Sequence, residues 1–313
     1  MTAGLAAATD GPSEVRRALG FVTMVSRNLR TVLGGASLLL VALTACAPAD
    51  NTSSAGTAAS PSGSACPQGG LDTKTAGKLT IATDNPAYAP WFIDNKPAGG
   101  KGFESAVAYQ VAQRLGYPAA NVTWIQVPFN NAFAPGPKNF DFDINQVSIT
   151  DARKQAVDFS SPYYLVRQTV ITVKGSKIAG VTTIAGLRTA KLGAQVGTTS
   201  YQAITDVIKP GPSPQVFNSN DDAKKALENR TVDGLVVDLP TAFYMTAAEL
   251  DGGLIVGQLP QVGVPEQFGL VLDKGSALTG CVSKAVDQLR QDGTLAVLEK
   301  TWLAGDGGAR ELS

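Results

Sequence analysis

Short apolar runs alternate with segments of helical periodicity from Lys78 to the end of the chain. The run KLTIATD at 78–84 has the length and content of a buried strand. The segment 102–117 then repeats an apolar residue at every fourth position, which is the spacing of one helical face. That face consists of Phe103, Val107, Val111 and Leu115. Further strands are expected at 122–127 and within 140–149, so the block has the order of βαβ units.

The same pattern occurs in a second block of sequence. We predict strands at 191–196 and 232–238 and helices at 221–231 and 239–250. Strands that alternate with helices are typical of an α/β protein whose sheets are mostly parallel, with helices on their faces.

The two blocks predict two lobes that are joined by extended crossings. The first lobe comprises 78–167 together with 268–313, and the second comprises 173–262. The crossings are expected near 166–174 and 263–274, where the sequence is extended without a helical period. Two lobes joined in this way enclose a cleft that can close by a hinge motion.

Residues 1–45 have the pattern of a bacterial export signal. Two arginines precede the apolar run at 31–45, which is too short to span a membrane as a helix. The run ends in Leu-Thr-Ala-Cys, which resembles a lipoprotein signal that is cleaved before Cys46 so that the cysteine is lipidated. An ordinary secretory signal with an incidental cysteine is the alternative. Residues 1–23 are interpreted as an upstream extension.

The segment 46–77 is rich in Ser, Ala, Thr and Pro. A chain of that composition buries too little apolar area to fold, so we expect a flexible tether. With Cys46 assigned to the lipid, Cys66 and Cys281 remain. Two cysteines outside the cytoplasm are more often paired than free, and we therefore predict a disulfide between them.

Composition and charge narrow the possible functions. The chain holds 26 Lys+Arg and 26 Asp+Glu, so it lacks the basic excess of a nucleic-acid-binding protein. It contains no histidine, which excludes Ser-His-Asp and Cys-His nucleophilic sites and histidine-ligated metal sites. We predict neither a metal nor a cofactor.

Seven motifs occur in an order that is known from one family. They are LTIATDN with YAPWF, GFESAV, DFDINQVSITDARKQAVDFSSPYY, LGAQVGTTS, VDGLVVDLP, EQFGLVLDKGS and LRQDGTLAVLEKTW. From about Lys78 to Leu303 the chain resembles the extracytoplasmic amino-acid-binding proteins of ABC importers, solute-binding family 3. The resemblance implies the two-lobed fold of type II periplasmic binding proteins and a monomer that delivers an amino acid to membrane permease subunits. With the lipid on Cys46, the protein would be anchored to the outer face of the cell membrane.

Arg153 lies just after an apparent helix start at Thr150, where a cation opposes the positive end of the helix dipole. A guanidinium matches a carboxylate through two parallel hydrogen bonds. From the residues alone, a surface ion pair with Asp151 or Asp158 is the alternative. The resemblance implies that Arg153 binds the α-carboxylate of the ligand and that Thr150 assists.

Thr198 and Asp238 are the candidates from the second lobe. Thr198 begins a helix, and free amide groups at a helix start suit an anion, although a plain N-cap is the alternative. Asp238 ends a strand, where ligands bind in open α/β sheets, although it can also cap the next helix. The resemblance implies that Thr198 contacts the carboxylate and that Asp238 binds the amino group, aided by the backbone of Ser148.

Six further residues match positions that line the side-chain pocket in relatives. They are Asp84, Tyr88, Trp91, Phe129, Asn145 and Gln146. Tyr88 and Trp91 can equally be core aromatics. The pair Asn145-Gln146 departs from the small Gly or Ser pairs that are common in the family, and its two amides offer both donors and acceptors to a ligand.

The leading hypothesis is a lipid-anchored binding protein, not an enzyme, that captures a free polar L-amino acid. A cyclohexadienyl-dehydratase-like enzyme on the same scaffold is the alternative, with Asp84 or Asp238 as its acid or base. Asp238 favours binding, because an ammonium ligand requires an ionised carboxylate. A sensory input domain would need further segments after residue 303, and we do not expect one because the sequence ends at Ser313.

Overall fold

The structure is a computed structural model that describes residues 66–261, 263–303 and 308–313. The predicted signal segment and Cys46 lie outside these residues. Within the described ranges, no helix is both long and apolar enough to cross a membrane.

Strands and helices alternate along the described chain as the hydrophobic pattern predicts. The strands are β1 (Leu79–Thr83), β2 (Val122–Gln126), β3 (Phe142–Asp143), β4 (Val157–Phe159), β5 (Tyr164–Leu165), β6 (Gln168–Val173), β7 (Leu192–Gln195), β8 (Gln215–Phe217), β9 (Gly234–Asp238), β10 (Gly253–Gln258), β11 (Gln267–Phe268) and β12 (Val271–Asp273). The helices are α1 (Phe103–Arg114), α2 (Phe129–Ala132), α3 (Asp151–Lys154), α4 (Thr199–Ala203), α5 (Asn220–Glu228), α6 (Leu239–Tyr244), α7 (Thr279–Gln291) and α8 (Thr294–Trp302).

Two five-stranded sheets, one in each lobe, are formed by the described strands. Their orders are β2-β1-β3-β12-β4 in lobe 1 and β10-β6-β9-β7-β8 in lobe 2. Each sheet has two parallel and two antiparallel pairs of neighbours. The α/β class is confirmed, but the sheets are mixed rather than mostly parallel. The reason is that β6 and β12, which follow the crossings, enter their sheets antiparallel to both neighbours.

The two crossings lie side by side between the lobes. Tyr164 of β5 pairs with Phe268 of β11, and Leu165 pairs with Gln267. The crossings predicted near 166–174 and 263–274 extend beyond this pair, because they include β6 and β12 of the two sheets. An extended crossing and a strand share one backbone conformation, so the hydrophobic pattern does not separate them.

The predicted helical stripe forms part of the core of lobe 1. Phe103, Val107, Val111 and Leu115 are at most 3% exposed and pack with β1 and α7. The predicted disulfide is present, and it links Cys66 to Cys281 of α7 with 5.6 Å between the Cα atoms.

The sheet of lobe 2 is covered on both faces. Val170 and Val236 belong to one apolar cluster, whereas Ile171, Leu235 and Val237 belong to another. Neighbouring residues of a strand point to opposite faces, so the alternation places one cluster on each side of the sheet.

The last described residues pack on lobe 2. Leu312 is 1% exposed within the first of these clusters, and Glu311 forms a bridge with Gln258 at the end of β10. The prediction that assigned 268–313 to lobe 1 is therefore wrong for this terminal segment. A short stretch with one large apolar residue carries no periodicity from which its packing partner can be inferred.

Candidate functional site

A cavity lies between the lobes beyond the carboxyl ends of β1, β7 and β9, the edge at which open α/β sheets bind ligands. Lobe 1 lines it with Asp84, Pro86, Tyr88, Phe129, Asn145 and Gln146. Lobe 2 lines it with Gln195, Thr198, Thr199, Ser200, Asn220, Val236, Val237, Asp238 and Thr241. The structure thus brings seven of the predicted binding residues together around one cavity.

Arg153 lies beside this cavity and joins the two lobes. It is 9% exposed, and its Nη1 donates to the carbonyl oxygen of Ser148 at 2.7 Å. Its Nη2 donates to the carbonyl oxygen of Gly197 in lobe 2 at 2.9 Å. Burial lowers the pKa of Arg153 to about 10, against the opposing effect of Glu266 and then Asp238. The guanidinium is therefore still charged at neutral pH.

The two acids considered as surface partners of Arg153 pair with lysines instead. Asp151 lies 3.3 Å from the Nζ of Lys154, and Asp158 lies 3.1 Å from the Nζ of Lys274.

The guanidinium of Arg153 packs against the rings of Phe129 and Phe133, which follow β2 in the chain. Its central carbon is 4.2 Å from the ring centroid of Phe133 and 5.6 Å from that of Phe129, distances at which a cation and a ring attract.

Thr150 and Thr198 are both N-caps. The Oγ1 of Thr150 accepts from the backbone N–H of Arg153, and that of Thr198 accepts from Tyr201, each at 3.2 Å. The Thr198 hydroxyl also donates to the carbonyl of Gln195 at 2.7 Å, so both of its hydrogen-bonding roles are used locally. Thr198 lines the cavity, whereas Thr150 does not belong to its wall.

Glu266 of the second crossing connects the two lobes through hydrogen bonds. Its Oε1 accepts from the hydroxyls of Ser148 at 2.6 Å and Thr199 at 2.5 Å. Its Oε2 accepts from the Nε2 of Gln168 at 3.0 Å, and the same nitrogen donates to Oδ1 of Asp238 at 2.7 Å.

Glu266, Gln168 and Thr199 were not identified from the sequence. Each lies within a motif or a predicted crossing of the sequence. For Glu266 and Gln168 the available signal was a polar side chain in an otherwise apolar extended segment, which does not specify a partner in the other lobe.

Asp238 begins α6, but its side chain makes no capping hydrogen bond. The carboxylate instead accepts from Gln168, and it lines the cavity. Desolvation, followed by the neighbouring charge of Glu266, raises the pKa of Asp238 well above its ordinary value. A cation next to Asp238 would reverse that shift.

The lobe 1 wall combines a carboxylate, an amide and an aromatic ring. Asp84 accepts from the backbone N–H groups of Asn85 at 2.6 Å and Phe129 at 3.2 Å, and burial raises its pKa. The buried Nδ2 of Asn145 has no hydrogen-bond partner among the described residues. Burial and then the charge of Asp221 raise the pKa of Tyr88 to about 12.

Gln146 occupies a left-handed backbone conformation with φ of 52°. Its backbone N–H donates to Oε1 of Glu104 at 2.6 Å, and the hydroxyl of Tyr163 donates to the same oxygen. Glu104 is fully buried, and burial raises its pKa to about 7. Sequence reasoning missed Glu104, although an acid next to Phe103 on the apolar stripe of α1 was a usable signal.

Trp91 belongs to the core of lobe 1, so of the two interpretations considered for it the core one holds. It is 0% exposed and packs edge-to-face on Tyr164. Its Nε1 donates to the Oγ1 of Thr241 in lobe 2 at 3.0 Å. Trp91 therefore contacts the wall of the cavity from behind.

No group of three acidic or thiol side chains within the described ranges could hold a metal ion.

Known proteins are similar to this chain over most of its length. The family model for bacterial extracellular solute-binding proteins, family 3, matches residues 79–305. The L-cystine-binding protein TcyJ of Escherichia coli (strain K12) is 26% identical over 235 residues, which cover 74% of this chain and 85% of TcyJ. The ABC transporter glutamine-binding protein GlnH of Bacillus subtilis (strain 168) is 28% identical over 215 residues, which cover 67% of this chain and 76% of GlnH.

Among solved structures, the arginine-, lysine-, histidine-binding protein ArtJ of Geobacillus stearothermophilus has a TM-score of 0.62 at 25% identity, over 72% of this chain and 95% of ArtJ. This similarity confirms the two-lobed α/β fold. The relatives are named as binding proteins rather than enzymes, which confirms that classification for this chain and does not favour the dehydratase alternative. Because the family model matches most of its length, the chain belongs to the bacterial extracellular solute-binding proteins, family 3.

Proposed function

We propose that this protein is the substrate-binding component of an ABC importer and that it captures a free polar L-amino acid between its lobes. The observation that carries this proposal is that Asp238 of lobe 2 lines the cavity while Arg153 of lobe 1 lies beside it and bonds to Gly197 of lobe 2. A buried cation and a partly buried carboxylate match the two charged groups of an amino-acid zwitterion. A ligand that contacts both lobes binds the closed form more tightly than the open form and so stabilises closure.

The carboxylate of the ligand is assigned to Arg153. Each terminal nitrogen of the guanidinium carries two N–H groups, and one hydrogen bond from each goes to the carbonyls of Ser148 and Gly197. The remaining N–H groups are available to a carboxylate. Thr150 and Thr198 support this subsite by fixing the backbone that carries it, since their hydroxyls cap α3 and α4.

The amino group of the ligand is assigned to Asp238, and the ligand's side chain to the wall formed by Asp84, Tyr88, Phe129 and Asn145. A buried amide donor without a partner is unfavourable by about 1–3 kcal/mol. The Nδ2 of Asn145 is such a donor, and an acceptor on the ligand would satisfy it. This wall therefore favours a polar side chain, with Gln146 beside it.

We also propose that a lipid on Cys46 holds the protein at the outer face of the cell membrane, where it delivers its ligand to permease subunits. The basis is the sequence before Cys46, which resembles a lipoprotein signal. Metabolic labelling with a radioactive fatty acid should label the protein and should fail to label Cys46→Ala. Equal labelling of both proteins would rule out this anchor.

Thermal unfolding of the purified protein with each of the twenty amino acids tests the proposed function. A ligand present at 100 times its Kd adds about 2.7 kcal/mol to the free energy of unfolding, which is an easily measured increase in Tm. We expect one amino acid, or a chemically related group, to give that increase. If none of the twenty raises the Tm, the protein is not an amino-acid receptor.

A further inference from the structure

We propose that the cleft selects an amino acid whose side chain carries a positive charge, because it holds more carboxylates than a neutral zwitterion can pair. The inference rests on the proposed function and specifies its substrate class. The relatives do not decide this point, since their names include cystine, glutamine and a group of cationic amino acids.

The wall of the cavity carries two acids. Asp84 and Asp238 line it from opposite lobes, and its lining residues include neither lysine nor arginine. Arg153 beside the cavity takes the ligand's carboxylate, and Asp238 takes its ammonium group. A neutral amino acid would then leave Asp84 without a cation in a site from which binding has removed water.

Glu266 adds a third carboxylate next to this wall. Its two oxygens are held by the hydroxyls of Ser148 and Thr199 and by the amide of Gln168. Because the same amide nitrogen also bonds to Asp238, the two carboxylates lie close together, and after desolvation the charge of Glu266 raises the pKa of Asp238. The field of Glu266 therefore extends into the cavity, although Glu266 is not one of its lining residues.

Buried acids also lie behind the lobe 1 wall. Neither carboxyl oxygen of the buried Asp143 has a hydrogen-bond partner among the described residues. Burial and the charges of Glu104 and Asp84 raise the pKa of Asp143, and the cation that acts against them is Lys138. The Nζ of Lys138 bonds to the carbonyls of Asn131 and Ala134, so it does not pair with Asp84.

A cationic side chain would pair with Asp84. It carries no acceptor for the Nδ2 of Asn145, but a buried charge without a partner is less favourable than a buried amide without one. Opposite charges attract strongly when both are removed from water, and the rings of Tyr88 and Phe129 in the same wall offer faces that attract cations. An acidic side chain would instead add an anion beside Asp84. A neutral amide would match the shape of the wall but leave its charge unpaired.

Two pairs of ligands that differ in charge but closely match in shape test the proposal. Calorimetric titration compares L-arginine with L-citrulline, and L-lysine with L-2-aminoheptanoic acid, in which a methyl group replaces the ammonium group of the side chain. We expect the cationic member of at least one pair to bind at least about 100-fold more tightly than its neutral partner. If the neutral member binds as tightly in both pairs, the proposal is wrong.

Variants assign the preference to the carboxylates. Glu266→Gln keeps an acceptor at the network and removes the charge, and we expect it to reduce the cation preference about tenfold. Asp84→Asn should reduce the preference at least as much, and it provides a second test if Glu266→Gln folds poorly. Asp251→Asn, which alters an exposed acid of lobe 2, should leave the preference unchanged. A preference that survives both Glu266→Gln and Asp84→Asn overturns the proposal.

The titrations also separate this inference from the proposed function. Tight binding of a neutral or acidic amino acid, with weaker binding of L-arginine and L-lysine, contradicts the charge selection and leaves amino-acid binding in place. No binding of any amino acid contradicts both.

Discussion

Two short helices begin at the interface between the lobes, α3 after Thr150 in lobe 1 and α4 after Thr198 in lobe 2. Each threonine accepts a hydrogen bond from the backbone N–H three residues later, at the same distance of 3.2 Å. The helices differ in their first turns. In α3 the third residue is the buried Arg153, which contacts both lobes, whereas α4 begins with Thr199, a neutral donor to Glu266.

The difference teaches that a helix start and a ligand contact are separate features of this site. The cap is a local requirement of the backbone, and both threonines meet it. A residue of the first turn carries the contact between lobes. Because α3 is a single turn long, Arg153 also lies in its last turn, so the helix dipole does not oppose its charge, and the carbonyls of Ser148 and Gly197 hold the guanidinium. Lobe 1 thus supplies the cation, and lobe 2 supplies hydroxyls together with Asp238.

The largest effect on stability is expected from Glu104, the buried acid of lobe 1 that accepts from the backbone N–H of Gln146. Glu104 has a pKa of about 7 in the folded protein, above its ordinary value of 4.5. The folded state therefore retains a proton that the unfolded state has lost, and the free energy of unfolding falls as the pH rises from about 4.5 to about 7. Glu104→Gln should remove about 3 kcal/mol of that fall.

Urea unfolding at pH values below and above this range measures the effect. Glu228→Gln is the matched control, because it removes an exposed acid from α5 of lobe 2. We expect the control to show the same fall as the unaltered protein. An equal fall in Glu104→Gln would show that Glu104 does not hold the extra proton and that its pKa is not raised.

A smaller effect is expected from the caps themselves. Thr150→Ala and Thr198→Ala should each lower the free energy of unfolding by about 1 kcal/mol, because each leaves a helix-start N–H without its acceptor. Urea unfolding checks this loss, and calorimetry with the ligand found in the thermal screen checks binding. Both variants should bind within about tenfold of the unaltered protein, since neither hydroxyl is assigned to the ligand. A much larger loss of binding affinity in Thr198→Ala alone would show that the Thr198 hydroxyl contacts the ligand.

The hydrophobic pattern predicts the fold well where elements are long or periodic. The stripe on α1 is buried as expected, and β1, β7 and β9 lie within the predicted strands. The short strands β4 and β8 were not predicted, because three residues do not establish a period. The terminal segment around Leu312 was assigned to the wrong lobe for the same reason.

The candidate site is predicted from the sequence only in part. The motifs give the strand ends and helix starts that surround the cavity. Asp238 lies where its strand end predicts it, and Asp84, which was expected from the resemblance, lines the same cavity. The motifs do not give the partners of side chains across the lobes. Glu266 and Glu104 are recognisable only when their distant partners, Ser148 and Gln146, are close in space. Trp91 likewise could be placed in the core only from its neighbours.

The assignment of Arg153 to a ligand carboxylate is tested most directly by one titration. The amino acid found in the thermal screen and its α-carboxamide are each titrated into the unaltered protein, Arg153→Ala and the exposed control Arg188→Ala. The unaltered protein and the control should bind the acid at least about 100-fold more tightly than the amide, and Arg153→Ala should lose most of that preference. An Arg153→Ala protein that still prefers the acid as strongly as the unaltered protein would contradict the assignment.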